Sequence, residues 1–219
     1  MSTFRDFPYT CSVCGEESTF RVCTSSICFG KPDLDYRPAI LARYTVSSVI
    51  QECPNCGYAA VRVSEKEDFD RAILSSDEYK NCGNMGFTSI PAQQNFRHHL
   101  IQKSMGNTFE ASRSMLRAAW LCDDEGDDVN SVACRKMAIE LLDDSIARGL
   151  IPVDLLERSL LIKCDMMRRA GLFDELISEY SSPNRPVPLP ENVISFQIEA
   201  AKRGDTARYT FEDVEKEEQ

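Results

Sequence analysis

The chain has 219 residues, of which 42% are hydrophobic and 27% charged, and its formal net charge is −10. This composition excludes collagenous, fibrous and wholly disordered architectures, and no apolar run approaches the length of a spanning helix, so a soluble protein without membrane association is expected. The opening residues Met1-Ser2-Thr3-Phe4-Arg5-Asp6 carry no apolar stretch of signal-peptide type and an early acidic residue, which predicts a cytoplasmic protein.

Two features divide the chain near residue 63. Residues 1–63 hold six basic and six acidic side chains, so the remainder carries the whole negative balance. That half repels a phosphate backbone and the first half offers no basic stripe, which argues against nucleic acid as a partner. Cysteine follows the same division. Six of ten (Cys11, Cys14, Cys23, Cys28, Cys53 and Cys56) precede residue 57, whereas Cys82, Cys122, Cys134 and Cys164 are spread through what reads as helix. In a reducing compartment such cysteines serve as metal ligands or buried thiols rather than as a disulfide framework.

In chain order, the first motif is Cys11-Ser12-Val13-Cys14-Gly15, repeated as Cys53-Pro54-Asn55-Cys56-Gly57. Each places two thiolates in a tight turn where backbone N–H groups point at sulfur and glycine supplies a positive φ. Four sulfurs satisfy one tetrahedral Zn²⁺ at about 2.3 Å each, giving a closed structural site with no position for water or substrate. Rubredoxin-like iron is the chemical competitor. The 38 residues between Cys14 and Cys53 exceed the separation in a simple finger, so an additional loop or hairpin is required. Cys23 and Cys28 have no adjacent histidine and no further C-x-x-C to complete a second set, and read as non-ligand thiols.

Residues 19–22, 44–50 and 58–63 are rich in β-branched and aromatic side chains and predict a small antiparallel sheet. Between the first two lies a loop, 29–38, with one glycine and two prolines. Its Asp33, Asp35 and Arg37 suit turn capping and mutual pairing. If the ribbon end recognises anything, these three residues are the expected contact surface. A catalytic use of them would need a deep pocket beside the loop.

From Ser64 onward the spacing is helical. Ser64-Glu65-Lys66-Glu67 has the form of a capping box for a helix over 64–80, with Phe69, Ile73 and Leu74 on one face. After a break at 81–89, Pro91 suits the first turn of a helix that turns Phe96, Leu100 and Ile101 inward. Further helices are expected over about 107–122, from 129 with Cys134, Ala138, Leu141 and Ile146 inward, over 154–170 with Leu156, Leu160, Cys164 and Met167 inward, to about Tyr180, and over 191–202. The acidic run 123–128 lacks EF-hand spacing and reads as a solvated turn, 181–190 as a proline-rich connector, and 212–219 as a frayed tail. His98 and His99, adjacent and about 100° apart on a helix, are expected at the surface or boundary.

The expected fold is α+β: a small N-terminal antiparallel zinc ribbon over 1–63, then an all-α, tetratricopeptide-like region over 64–219 with an acidic tail. Helix starts at 107 and 154 are 47 residues apart, against a repeat of about 34 in that class, so an irregular bundle is equally compatible.

The paired C-x-x-C-G turns, the insert Gly30-Lys31-Pro32-Asp33-Leu34-Asp35-Tyr36-Arg37-Pro38, the run Ala118-Ala119-Trp120-Leu121-Cys122-Asp123-Asp124, and Arg168-Arg169-Ala170-Gly171-Leu172-Phe173-Asp174-Glu175 resemble an uncharacterised bacterial family, domain of unknown function 2225. The resemblance spans most of the chain. It implies zinc at Cys11, Cys14, Cys53 and Cys56 and a bacterial cytoplasmic setting, and it brings no established activity. The leading expectation is therefore a zinc-stabilised, non-enzymatic protein that binds a protein or peptide. A thiol redox or metal-responsive switch using Cys23 and Cys28 is the alternative. A hydrolase or transferase built on the 29–38 loop stands behind both.

Overall fold

The computed structural model describes residues 2–182 and 185–217. Its architecture is α+β. Strand β1 (Thr3–Thr10) pairs antiparallel with β2 (Glu17–Ser25), and the reversal between them is the first cysteine turn. A second, shorter pair joins β3 (Gln51–Glu52) to β4 (Ala59–Ala60) around the second cysteine turn.

The ribbon is therefore two hairpins rather than the single three-stranded sheet expected. Residues 19–22 lie in β2, whose partner β1 alternates Phe4, Asp6, Pro8 with Arg5, Phe7, Tyr9, a mixed pattern that conceals the strand. Residues 44–50 are not a strand: helix α1 (Ile40–Arg43) leads into a 3₁₀ turn, Val46–Ser48. Short hydroxyl side chains account for this, since Thr45 Oγ1 donates to Ala42 O at 2.7 Å and Ser48 Oγ to Thr45 O at 2.9 Å, bonds that favour turns over a ladder. Val46 and Ile50 use their β-branched bulk to fill the core instead.

The helix expected over 64–80 is also replaced, by a 3₁₀ turn (Arg71–Ser75) and the short α2 (Asp77–Lys80), capped by Ser76. Glu67, read as the closing member of a capping box, accepts from Tyr58 Oη and Gln102 Nε2 at 3.2 and 2.9 Å. Phe69 stacks on Tyr58 with ring centroids 5.4 Å apart. Tertiary packing of this segment against the ribbon outweighs its local helical pattern.

The remaining helices follow closely: α3 (Ile90–Ser104), α4 (Thr108–Glu125), α5 (Asp128–Ala147), α6 (Val153–Arg169), α7 (Phe173–Tyr180) and α8 (Glu191–Lys202). Cys122, Cys134 and Cys164 sit in the core between them. Polar ties fix neighbours: Ser112 Oγ donates to Ala138 O across α4 and α5 at 2.7 Å, and Lys163 on α6 binds Asp143 and Glu179 at 2.6 and 2.8 Å. Of the expected connector, Pro183 and Asn184 lie outside the described residues, as do Glu218 and Gln219 of the expected tail.

The rest of that tail is ordered. Helix α9 (Phe211–Glu217) buries Val214 and returns to the ribbon insert, where Phe211 N–H donates to Pro32 O at 3.2 Å and Leu34 N–H to Tyr209 O at 2.9 Å. The insert between β2 and β3, residues 26–50, thus forms a strap held between the last helix and the middle of the helical region.

Candidate metal centre and the buried loop

Both cysteine turns have the same backbone. In the first, Cys11 N–H donates to Glu16 O and Gly15 N–H to Cys11 O; in the second, Cys53 N–H donates to Tyr58 O and Gly57 N–H to Cys53 O, all at 2.8–2.9 Å. Gly15 and Gly57 have φ of +78° and +74°, where a β-carbon would be strained. The hairpins bring Cys11 Sγ within 3.7 Å of Cys56 Sγ and Cys14 Sγ within 3.6 Å of Cys53 Sγ, and all four sulfurs lie within 4.8 Å of one another.

A tetrahedron with metal–sulfur bonds of about 2.3 Å has edges of about 3.8 Å, so the spacing fits one four-coordinate ion. Charge leads to the same conclusion. Backbone N–H donation at Glu16 and the Asn55 side chain bring the Cys14 thiol down to about 6, whereas burial pushes Cys53 and Cys56 up. One thiolate forms easily and its neighbours resist ionising beside it; a cation removes that resistance. Cys11, Cys14, Cys53 and Cys56 could hold a metal ion, and the cluster fits a zinc ribbon. With four protein sulfurs the coordination shell would be full, so such an ion supplies cohesion rather than a reacting position. Cys23 and Cys28 do not join this cluster; Cys23 Sγ faces Ser25 O at 3.4 Å and Cys28 is exposed.

The loop residues Asp33, Asp35 and Arg37 lie elsewhere in the molecule from what their sequence context suggested. All three are buried, so they do not form an exposed contact surface. Asp33 N–H donates to Arg37 O and Tyr36 N–H to Asp33 O, closing a turn in which Tyr36 takes a φ of +62°. The side chains turn inward from this tight loop. Asp33 pairs with Arg43 at 2.7 Å, Arg37 with Asp124, and Asp35 Oδ2 accepts from Trp120 Nε1 at 2.6 Å. Arg169 lies 3.5 Å from the same oxygen and 2.8 Å from Asp123, whose other partners are Arg135 at 2.6 Å and the Ser131 hydroxyl. Asp123 is thus an ion-paired helix residue, because α4 continues to Glu125 before Gly126 stops it with a left-handed φ of +71°.

A cavity of about 350 Å³ does open beside the loop, and of the three residues only Asp35 lines it. Its oxygens are occupied by Trp120 and by the backbone N–H of Arg37. The loop is an anchor for the strap. His98 and His99, expected near the surface, are buried as well: Nδ1 of His98 lies 2.7 Å from Ser114 Oγ, and Nδ1 of His99 bonds to Phe96 O. Their adjacency sends them to two different contacts, His98 to Ser114 on α4 and His99 to the backbone of its own helix.

The family described as "Uncharacterized protein conserved in bacteria (DUF2225)" matches residues 6–181. No curated protein and no solved structure matches the chain.

Proposed function

This chain belongs to that bacterial family, and on this premise we propose that it is a zinc-stabilised, non-enzymatic protein-interaction protein. The observation that carries the reading is an apolar patch on the strap. Phe29 and Tyr44 are 79% and 71% exposed, and Ile27, Ile40 and Leu41 are exposed beside them. Ser2 Oγ bonds both Ser26 Oγ (2.9 Å) and Leu41 O (3.0 Å), and a β-carbon on Gly30 would lie 3.7 Å from that of Ala39, so the two arms of the strap that carry these residues are adjacent. The two aromatic side chains alone leave on the order of 300 Å² bare, comparable with the largest apolar patch of a typical monomer, which is often functional.

The scaffold supports this role. The strap is clamped by Asp33–Arg43, Arg37–Asp124 and Asp35–Trp120, which lowers the backbone ordering cost of presenting the patch. The patch lies in the electrically balanced part of the chain, so an acidic or a basic partner is tolerated there. Four thiolates in a closed tetrahedron suit zinc, and the helix pairs α4–α5 and α6–α7 suit a tetratricopeptide-like support. No helix among the described residues is long and apolar enough to cross a membrane.

Capture from bacterial lysate with a photo-crosslinker placed at Phe29 tests the proposal. Specific protein adducts that vanish with Tyr44→Asp, while metal content and melting are preserved, are expected. Adducts unaffected by Tyr44→Asp, or none at all, overturn it.

A further inference from the structure

We propose that the cavity under the strap is a binding site for a small aromatic carboxylate. It is bounded by Tyr36, Val46 and Val49 on the strap and by α4, α5 and α6, and none of the exposed apolar residues Ile27, Phe29, Ile40, Leu41 and Tyr44 lines it. Its volume of about 350 Å³ suits a compact ligand.

The walls are aromatic and aliphatic: Tyr36, Phe109 and Trp120 line it together with Leu116, Leu142 and Ile162. The two serines that face inward have satisfied their hydroxyls on helix carbonyls, Ser112 on Ala138 O and Ser159 on Leu155 O, both at 2.7 Å. Asp35 is committed to Trp120 and to Arg37 N–H. The interior therefore asks for an apolar body without polar groups of its own.

The lining also holds three guanidinium groups, from Arg113, Arg117 and Arg158. In a chain of net charge −10 this is a local reversal of sign. Glu110 pairs with both Arg113 and Arg117, at 2.9 and 3.1 Å, and so offsets one of the three charges; the lining also holds the Asp35 carboxylate, which Arg169 faces at 3.5 Å. Arg158 has no ion-pair partner among the described residues; its guanidinium lies 4.4 Å over the ring of Tyr36. Exposed Glu157 precedes it in sequence and likewise has no ion pair there. Tyr36 in turn is held in a left-handed conformation and packs edge-on against Phe211 at 5.0 Å, a strained placement that aims an aromatic ring and the cation above it at the cavity. An aromatic ring fits between Tyr36, Phe109 and Trp120, and a carboxylate projecting from it meets Arg158 and the excess charge of the other two arginines.

Trp120 is the one tryptophan of the chain and it lines the cavity, so its fluorescence reports occupancy directly. Metal-loaded full-length protein is titrated with 3-phenylpropionate, with 3-phenylpropylamine, 3-phenylpropanol and octanoate as comparators. A saturable change is expected for the aromatic acid, with each comparator about tenfold weaker or more. Arg158→Gln should weaken the acid by about tenfold and leave the alcohol unchanged, and Val49→Phe, which fills the cavity, should remove the response at unchanged metal content. Equal binding of the alcohol, tighter binding of octanoate, indifference to Arg158→Gln, or no saturable response at millimolar concentration would each overturn the assignment. Because Arg158 is exposed, that variant stays informative even if Val49→Phe does not fold.

Discussion

Trp120 Nε1 donates to Asp35 Oδ2 at 2.6 Å, joining helix α4 to a loop 85 residues earlier in the chain. Both groups are buried, and burial raises the Asp35 pKa, so this carboxylate depends on the few donors it meets. Trp120→Phe keeps most of the ring and removes the donor; a loss of about 1–3 kcal/mol is expected from denaturant unfolding. Asp35→Ala leaves Arg169 without one of its two carboxylates and should cost about 3–5 kcal/mol. Metal content should stay the same in both variants, since neither residue belongs to the sulfur cluster. Loss of metal would mean that the strap and the metal centre fold as one unit.

Much of the four-cysteine cluster was legible because its geometry is local: two C-x-x-C-G turns write their own backbone, and only their meeting requires the fold. The long helices were legible for the same reason, as Leu160, Cys164 and Met167 mark one face by spacing alone. The strap was not. Val46 and Ile50 are β-branched, yet their neighbours Thr45 and Ser48 bond backward to carbonyls, and which tendency wins depends on a core contributed by distant helices. Asp33, Asp35 and Arg37 look like surface turn residues because their partners, Arg43, Trp120 and Asp124, are defined only by tertiary contact.

Replacing a buried ligand should separate the metal set from the other cysteines. Cys11→Ser or Cys53→Ser is expected to abolish stoichiometric metal and unfold the ribbon, because binding energies of about 10–16 kcal/mol for such sites are also folding energies. Cys23→Ser and Cys28→Ser should retain one ion per chain. Cobalt substitution gives the check: intense thiolate-to-metal absorption must persist in the second pair and vanish in the first.

The buried histidines should make the protein sensitive to mild acid. Burial, with the charge of Arg117, brings His98 down to about 3, and burial brings His99 down to about 4, from an ordinary value of 6.5. The folded state therefore refuses protons that the unfolded state accepts, and stability falls as pH drops from 6.5 toward those values, by about 1.4 kcal/mol per pH unit for each imidazole. Urea midpoints between pH 7 and 5 should show this slope, and His98→Gln should roughly halve it. A flat profile above pH 5 would place both rings in contact with water.

Asp123 acts in a lower window and with a different cause. Burial opposes its ionisation, but hydrogen bonds and charge from Arg135 and Arg169 prevail and hold it at about 2, below the ordinary 3.8. A depressed acid contributes stability that is complete above 3.8 and is lost as pH falls toward 2, here about 2 kcal/mol. The measurement is a difference between wild type and Asp123→Asn, so that acid release of metal, common to both, cancels. The variant should be less stable at pH 6 by about that amount or more, since Arg135 and Arg169 then lose a shared partner, and the gap should narrow progressively below pH 4. A gap that stays constant down to pH 2 would show that neutral packing, and not the carboxylate charge, joins α4 to α5 and α6 at this point.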